Sequence, residues 1–337
     1  MPIVTDMLPT SRRSQGPWLH TRLVSNFGNP PMTAQSSPLF SVIIPTHNRC
    51  DYLRGAVASV FGQTLSSWEL IIIDDGSVDT TSAYVAELPA DRVTSIRHEH
   101  PQGVSRARNA GIARARGHIV AFLDDDDEYV PEFLAIMADL FSGPTGPDIA
   151  WGESAGWGAV PNREPWHNPV SQDLVVCSPP SLAGISASLG LCARRAVLAV
   201  EGGFDEYMAV SEDIDLLFRF ASAGRIYAHV RRPLVRVRAG NHPSLSRSRD
   251  YAKIADSEAR LITKHSAFLR RLPDLRTHYL GSLAGAYYRA GRWREARATM
   301  SELLRHRPLS PRSWERLLRF ESRRAWRQLC GKISQAS

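Results

Sequence analysis

Four consecutive aspartates, Asp124 to Asp127, close the apolar stretch HIVAFL. Like charges ~4 Å apart repel by about 1 kcal/mol in water and about 4 kcal/mol near a protein surface, so this crowding needs an explanation. A solvated acidic turn is one reading. A calcium loop is a second, but the alternating Asp-x-Asp-x-Asp-Gly pattern and its distal Glu are missing. The third is a divalent cation gripping a diphosphate. Mg²⁺ and Mn²⁺ take hard oxygen ligands, often one or two carboxylates with phosphate oxygens and water completing the sphere. In an extended segment, Asp124 and Asp126 share a face. Two further acidic groups stand out. Asp74 and Asp75 end the run ELIII before Gly76, and Glu212, Asp213 and Asp215 open the pattern SEDIDLLFRFASAG, where the helix dipole alone would favour them.

The elements that must carry these residues alternate. Phe40 to Pro45 reads as a buried strand, followed by a helical pattern through Leu53, Val57 and Val60. Leu70–Ile73 is a second strand, Thr80–Leu88 a helix, Val93–Ile96 a weaker strand, Ser105–Arg116 a helix and His118–Leu123 a strand. A helix then runs from Pro131, at a favoured first-turn position, to Leu140. Such alternation predicts an α/β fold with a mostly parallel sheet. The ligand crevice of such a sheet lies beyond the carboxyl ends of its strands. Thr46–Arg49, Asp74–Ser77 and Asp124–Asp127 therefore fall on one rim. Residues 150–200 suit a long loop region with strands. LGLCARRAVLAVEGGFDE reads as strand, helix and Gly turn, SEDIDLLFRFASAG as an amphipathic helix, RIYAHVRRPLVRVRAG as strands and NHPSLS as a loop.

At 337 residues, with 43% hydrophobic and 22% charged residues, the chain suits one large globular domain with an appendage, or two domains. Cys50, Cys177, Cys192 and Cys330 are scattered without CxxC spacing, which argues against a disulfide framework and for a reducing compartment. No apolar run approaches the ~18 residues of a membrane span, and the N-terminus lacks a signal-peptide apolar core. A cytoplasmic location is expected, with peripheral contact at the inner face of the membrane open. The net charge of +7 is uneven: from Tyr251 onward 19 Lys and Arg stand against 7 Asp and Glu, so that segment carries +12 and the remainder −5. The basic end suggests an acidic partner surface. Residues 1–38, rich in Pro, Ser, Thr and Asn, read as a flexible leader.

The region beyond residue 246 reads as helical. LAGAYYRAGRWREARATMSELLRHRP resembles a single tetratricopeptide-type unit through Tyr287, Gly291, Ala296 and Pro308; one unit makes no solenoid. PRSWERLLRFESRRAWRQL sets Trp314, Leu317, Leu318, Ala325 and Leu329 near helical spacing among arginines. It suits an anionic membrane interface or packing on the preceding domain. No module favours nucleic acid as a partner.

Taken together, VIIPTHNR, IIIDDGSVD, QGVSRARNAGIARARGHIVAFLDDDDEYVPEFL, and GGFDE followed by SEDIDLLFR resemble, in that order, the family 2 nucleotide-sugar glycosyltransferases of GT-A fold. The resemblance runs from Ser41 to Ser246. It implies a GT-A domain over 39–246, with a nucleotide-binding half (39–149) and an acceptor half (150–246), and leaves 247–337 as a basic helical extension. It implies that Pro45, Thr46, His47, Asn48 and Arg49 line the base and ribose. Asp75 would accept a hydrogen bond from uracil, with Asp74 beside it, and Arg108 would reach the base or the diphosphate. Asp124 and Asp126 stand at the family's DxD, with Asp126 the direct ligand of Mn²⁺ or Mg²⁺ and Asp124 or Asp125 the ribose contact; Asp127 would support the turn. Asp213, preceded by Glu212, would be the general base, and Gly203, Phe204 and Asp205 would flank the acceptor. His242 falls where some relatives place a histidine on the metal or diphosphate, and also suits a plain loop. Trp151, Trp157 and Trp166 either pack the acceptor half or stack a sugar.

The activity so implied is inverting, metal-dependent transfer of a sugar from a nucleotide-sugar, UDP-linked, to a hydroxyl of a glycan or lipid-linked glycan in envelope or exopolysaccharide synthesis. Two alternatives stay open. A nucleotidyltransferase would want a Gly-rich phosphate loop where this chain has THNRCDYL. A non-catalytic nucleotide- or membrane-binding module would keep the fold alone.

Overall fold

The computed structural model describes residues 37–142, 146–157, 174–176, 190–238 and 250–306. Its first half is built from two apolar runs. β1 (Phe40–Thr46) and β2 (Trp68–Asp74) are buried along their whole length and pair in parallel. β3 (Val93–Arg97) and β4 (Ile119–Phe122) extend the parallel array on either side. Burial on both faces is why these strands read as continuous apolar runs rather than alternating ones.

The remaining described elements are β5 (Asp127–Tyr129), β6 (Ile149–Trp157), β7 (Leu174–Val176), β8 (Cys192–Arg194) and β9 (Tyr227–Arg238), with helices α1 (Cys50–Phe61), α2 (Thr81–Ala86), α3 (Val104–Arg114), α4 (Phe133–Phe141), α5 (Arg195–Glu201) and α6 (Glu212–Ser222). Among the described residues the strands form one sheet of order β3-β2-β1-β4-β8-β6-β9-β5, with β7 pairing β9. The expected parallel character holds for β3-β2-β1-β4. Beyond β4 the sheet is mixed: β8 runs antiparallel between β4 and β6, and β5 and β7 run antiparallel to β9.

Alternate residues of each strand feed two cores. Val42, Ile44, Leu70 and Ile72 pack with Leu53, Val57 and Val60 of α1 and with Phe133 and Met137 of α4. Ile43, Ile71 and Ile73 face the other way, toward Ala107 of α3, Leu198 of α5, and Leu216, Leu217 and Phe220 of α6. Each fully buried side chain of this size contributes roughly 1.5–3 kcal/mol, so the sheet is a stiff platform for its rim. Helix α3 lies very close to β1: a Cβ on Gly111 would stand 2.6 Å from Ile43 Cγ2.

The C-terminal helices α7 (Tyr251–Lys264), α8 (Ser266–Arg270), α9 (Pro273–Arg289) and α10 (Trp293–His306) pack on the domain. Phe218 of α6 and Met208 share a core with Leu261, Leu269, Leu275 and Tyr279. Helices α9 and α10 form the expected hairpin, turning at Gly291 with φ 77°. Pro308 and the basic tail lie outside the described residues. No helix among the described residues is long and apolar enough to cross a membrane.

Candidate active site

The rim beyond β1 and β2 is laced together. Asn48 takes a left-handed backbone (φ 54°). Its N–H donates to Ser77 Oγ at 2.9 Å, and its Oδ1 accepts from the Val78 N–H at 2.7 Å. His47 Nδ1 lies 2.9 Å from the Asp75 carbonyl oxygen. Pro45 sits within β1, one residue before Thr46. Asp74 is buried and accepts from the Ser77 N–H at 2.8 Å, Ser82 Oγ at 2.7 Å and Arg97 at 2.5 Å. Burial alone would raise its pKa; these hydrogen bonds and Arg97 more than offset that and hold it low. Asp75 accepts from the N–H groups of Gln102 and Gly103, both at 2.8 Å, and lies 2.7 Å from His98 Nδ1. Gly103 immediately precedes α3, so Asp75 anchors the entry of the helix that bears Arg108. Gly76 must be glycine: its φ is 75°, and a Cβ would meet the His100 carbonyl carbon at 2.9 Å.

The aspartate run divides its labour. Asp125 turns inward, accepting from Thr46 Oγ1 at 2.8 Å and Arg49 Nη1 at 2.9 Å. Burial pushes its pKa up to about 6 against the pull of Arg49. The same Arg49 nitrogen lies 3.2 Å from Asp126. Asp127 is buried because β5 pairs with β9, where its Oδ1 accepts from the Arg238 N–H at 3.2 Å. Oxygens of Asp124, Asp126 and Asp127 lie within 4.8 Å of one another. Burial, reinforced by the charges of Asp124 and Asp126, lifts the Asp127 pKa to about 9. Three hard oxygens converging at a cost that a cation would offset fit Mn²⁺ or Mg²⁺. Asp127, read from sequence as turn support, therefore joins the candidate ligands. The run DDDD itself was the signal, but its face depends on β9, more than 100 residues away.

Arg108 joins the aspartate run to the first turn of α6. Its Nη2 donates to Asp124 at 2.8 Å and its Nη1 to Glu212 at 2.6 Å. Burial works against its charge, but the two carboxylates outweigh it and keep the guanidinium charged. The guanidinium carbon stands 5.2 Å over the Phe204 ring, which in turn packs edge-on against Phe122. Asn109, which sequence reasoning passed over although it lies in the SRARN block, clamps this loop: Oδ1 accepts from the Phe204 N–H at 2.8 Å and Nδ2 donates to its carbonyl at 2.9 Å. Gly203, at φ 67°, lets that clamp close. Asp213 is half-buried in the first turn of α6, its Oδ1 accepting from the Ile214 N–H at 2.8 Å. Asp205 faces α7 rather than the crevice, with Lys264 at 2.8 Å and Arg260 at 3.1 Å. Trp151 is a packing residue, buried and stacked on His229. His242, Trp166 and the side chain of Trp157 lie outside the described residues.

Residues 41–186 match the family model described as Glycosyl transferase family 2. This segment is a family 2 glycosyl transferase domain. The chain is 29% identical over 236 residues to the O-antigen biosynthesis protein RfbC of Myxococcus xanthus, covering 68% of this chain and 18% of that protein. It is 33% identical over 102 residues to the UDP-Glc:alpha-D-GlcNAc-diphosphoundecaprenol beta-1,3-glucosyltransferase WfgD of Escherichia coli, covering 30% of this chain and 40% of WfgD. The matched segment thus spans less than half of either relative. A crystal structure of S. aureus TarS 1-349 in complex with UDP-GlcNAc superposes with a TM-score of 0.56 at 18% identity, covering 77% of this chain and 87% of that one. The glycosyl transferase domain has the GT-A fold, followed by a helical C-terminal region.

Proposed function

We propose that the protein is an inverting, metal-dependent glycosyltransferase that moves a sugar from a UDP-sugar to a hydroxyl of a glycan or lipid-linked glycan in bacterial envelope or exopolysaccharide synthesis. One observation carries the reading: Arg108 holds Asp124 of the acidic rim and Glu212 beside Asp213 with a single guanidinium. That contact ties the place where a diphosphate would sit to the helix turn that bears the base. The names of WfgD and TarS's bound UDP-GlcNAc support the choice of donor, and the RfbC likeness supports the setting.

Asp124, Asp126 and Asp127 would hold Mn²⁺ or Mg²⁺, which when bound neutralises charge on the diphosphate. Arg108 supplies a fixed positive charge toward the departing diphosphate. Asp213 takes the proton of the acceptor hydroxyl as its oxygen attacks the anomeric carbon from the face opposite the leaving group, which inverts the configuration. Pro45, Thr46, His47, Asn48 and Arg49 form the nucleotide wall, and Asp74 and Asp75 brace the loops behind it. The positive charge of the C-terminal segment supports an anionic membrane surface as the place where a lipid-linked acceptor is met.

The test is UDP release from UDP-glucose, UDP-galactose and UDP-N-acetylglucosamine with Mn²⁺, together with UDP binding by calorimetry. Release should depend on Mn²⁺, and Asp213→Asn should lower it by about 10²-fold or more while UDP still binds. Undiminished release in Asp213→Asn removes that residue from the base role. UDP binding indifferent both to Mn²⁺ and to Asp126→Ala removes the metal-diphosphate reading.

A further inference from the structure

Helix α7 lies beyond residues 41–186, yet successive turns of it hold the segment that carries Asp213. Ser257 Oγ accepts from the N–H groups of Ala209 at 3.2 Å and Val210 at 3.4 Å. Lys264 Nζ donates to Asp205 at 2.8 Å and stands 2.7 Å from Asp215, so one ammonium ties the start of the segment to its end. His265, which caps α7, places Nε2 2.8 Å from the same Asp215 oxygen. The other Asp215 oxygen accepts from Arg219 at 3.0 Å, and Arg219 continues to the carbonyl oxygens of Glu201 and Gly203. Asp215 is completely buried. Ser257 and Lys264 are two turns apart on one face of α7.

Within the held segment, Ser211 takes a left-handed backbone with φ 62° at the N-terminus of α6. A non-glycine residue stays there only where its surroundings impose it, and the neighbouring amides are the ones Ser257 engages. Buried ion clusters add little net stability over apolar packing. What this cluster determines is position, and in the chain Asp213 sits between two held points, Val210 and Asp215.

We infer that α7 is a working part of the active site: Ser257, Lys264 and His265, acting through Asp215 and the backbone of 205–211, set where Asp213 stands relative to the acceptor hydroxyl. They are positioning residues. The inference rests on the reading of Asp213 as base. Among the described residues the polar side-chain contacts of the three run to Ala209, Val210, Asp205 and Asp215, so their loss acts on turnover and spares nucleotide capture.

The experiment uses the full chain with Mn²⁺ and whichever of the three UDP-sugars above turns over fastest. Ser257→Ala, Asp215→Asn, Asp215→Glu and Asp213→Asn are compared with wild type for kcat, for UDP affinity by calorimetry, and for amide exchange of residues 205–215. Ser257→Ala and Asp215→Asn are expected to lower kcat by about 10–100-fold, the scale of a misplacement near 1 Å. UDP affinity should stay within about twofold, amides 209–215 should exchange faster, and Asp215→Glu, which keeps the charge, should recover part of kcat. Wild-type kcat in both Ser257→Ala and Asp215→Asn overturns the inference, as does a loss of UDP affinity equal to the loss of kcat. If Asp213→Asn alone retains turnover, the base reading fails instead. Unchanged exchange at 209–215 in Ser257→Ala overturns the inference even when Asp215→Asn does not fold.

Discussion

The guanidinium of Arg108 lies 2.6 Å from Glu212, a residue 104 positions later in the chain. The same guanidinium reaches Asp124 at 2.8 Å. A buried cation thus links the acidic run to α6, alongside the Asn109 clamp on Phe204 and the shared apolar core.

Removing that cation strands two carboxylates. Breaking a buried ion pair from one side costs about 3–5 kcal/mol; since Asp124 keeps 29% of its side chain in contact with solvent, about 2–3 kcal/mol is the better expectation. Arg108→Met should lower the urea midpoint accordingly and abolish Mn²⁺-dependent turnover. Arg108→Lys, a point charge without the fork, should restore stability better than activity. Equal recovery of both would show that charge alone suffices.

Asp127 should respond in two opposite ways. Its folded pKa is raised to about 9, against about 3.9 for an unfolded aspartate. The sign follows: whatever stability it contributes below about pH 4 is lost as pH rises toward 9, because the native state binds the extra proton. Asn carries no such loss. Metal-free Asp127→Asn should therefore be more stable than wild type at pH 7, with the gap closing near pH 4. Mn²⁺ should stabilise wild type by about 2.7 kcal/mol at a hundredfold excess over Kd, raising its thermal midpoint, and should do so only weakly for Asp127→Asn. A wild-type response to Mn²⁺ in the variant would remove Asp127 from the ligand set.

Asp215 has the opposite linkage. Burial alone would raise its pKa, but His265, Lys264 and Arg219 outweigh it and hold the carboxyl well below the usual range. A depressed carboxylate contributes stability above the unfolded value of about 3.9, and this is lost as pH falls through the folded value. Asp215→Asn should be destabilised at pH 7, and its urea midpoint should approach that of wild type as pH drops below about 4. A gap constant from pH 7 to pH 3 would mean that packing, not charge, is what the residue supplies.

Gly111 predicts a coupled pair. An alanine there would press its Cβ to 2.6 Å from Ile43 Cγ2, so Gly111→Ala should push α3 off β1 at a cost of about 1–3 kcal/mol. Arg108 rides on α3, so turnover should fall with it. Ile43→Ala opens space at that contact, and the double variant should be more stable than the sum of the two single effects by at least about 0.5 kcal/mol. Strict additivity in chemical denaturation would refute the contact.

Much of the polar rim was legible because its signals are local. FSVIIP and ELIIID are buried strands whose polar ends announce a rim, and the structure brings Thr46, Arg49 and Asp124–Asp126 together there. What was not legible depends on distant pairing. The stretch RIYAHVRRPLVRVRAG reads as strands in the plural, but Tyr227–Arg238 forms one strand, β9, whose register against β6 shifts at Glu153, opposite Pro233. Pairing of β9 with β5 turns Asp127 inward, and no local period encodes it. The roles of Asp74 and Asp75 in bracing loops were equally hidden: a carboxylate at a strand end looks the same whether it faces a ligand or the backbone amides of the next turn. Asp205 was misleading for the same reason, since its partners Arg260 and Lys264 lie on a helix that no glycosyl transferase motif marks.

The pairing of β5 with β9 also makes the acidic cluster depend on late-synthesised chain. Asp127 has its β-ladder partner at Val237 and accepts from the Arg238 amide, so a nascent chain that has emerged only as far as residue 186, the end of the family match, lacks the strand that folds the last aspartate of the run inward. Until β9 arrives, that carboxylate can remain hydrated and ionised. The convergence of acidic groups is thus complete only once the strands beyond residue 186, β8 and β9, have joined the sheet.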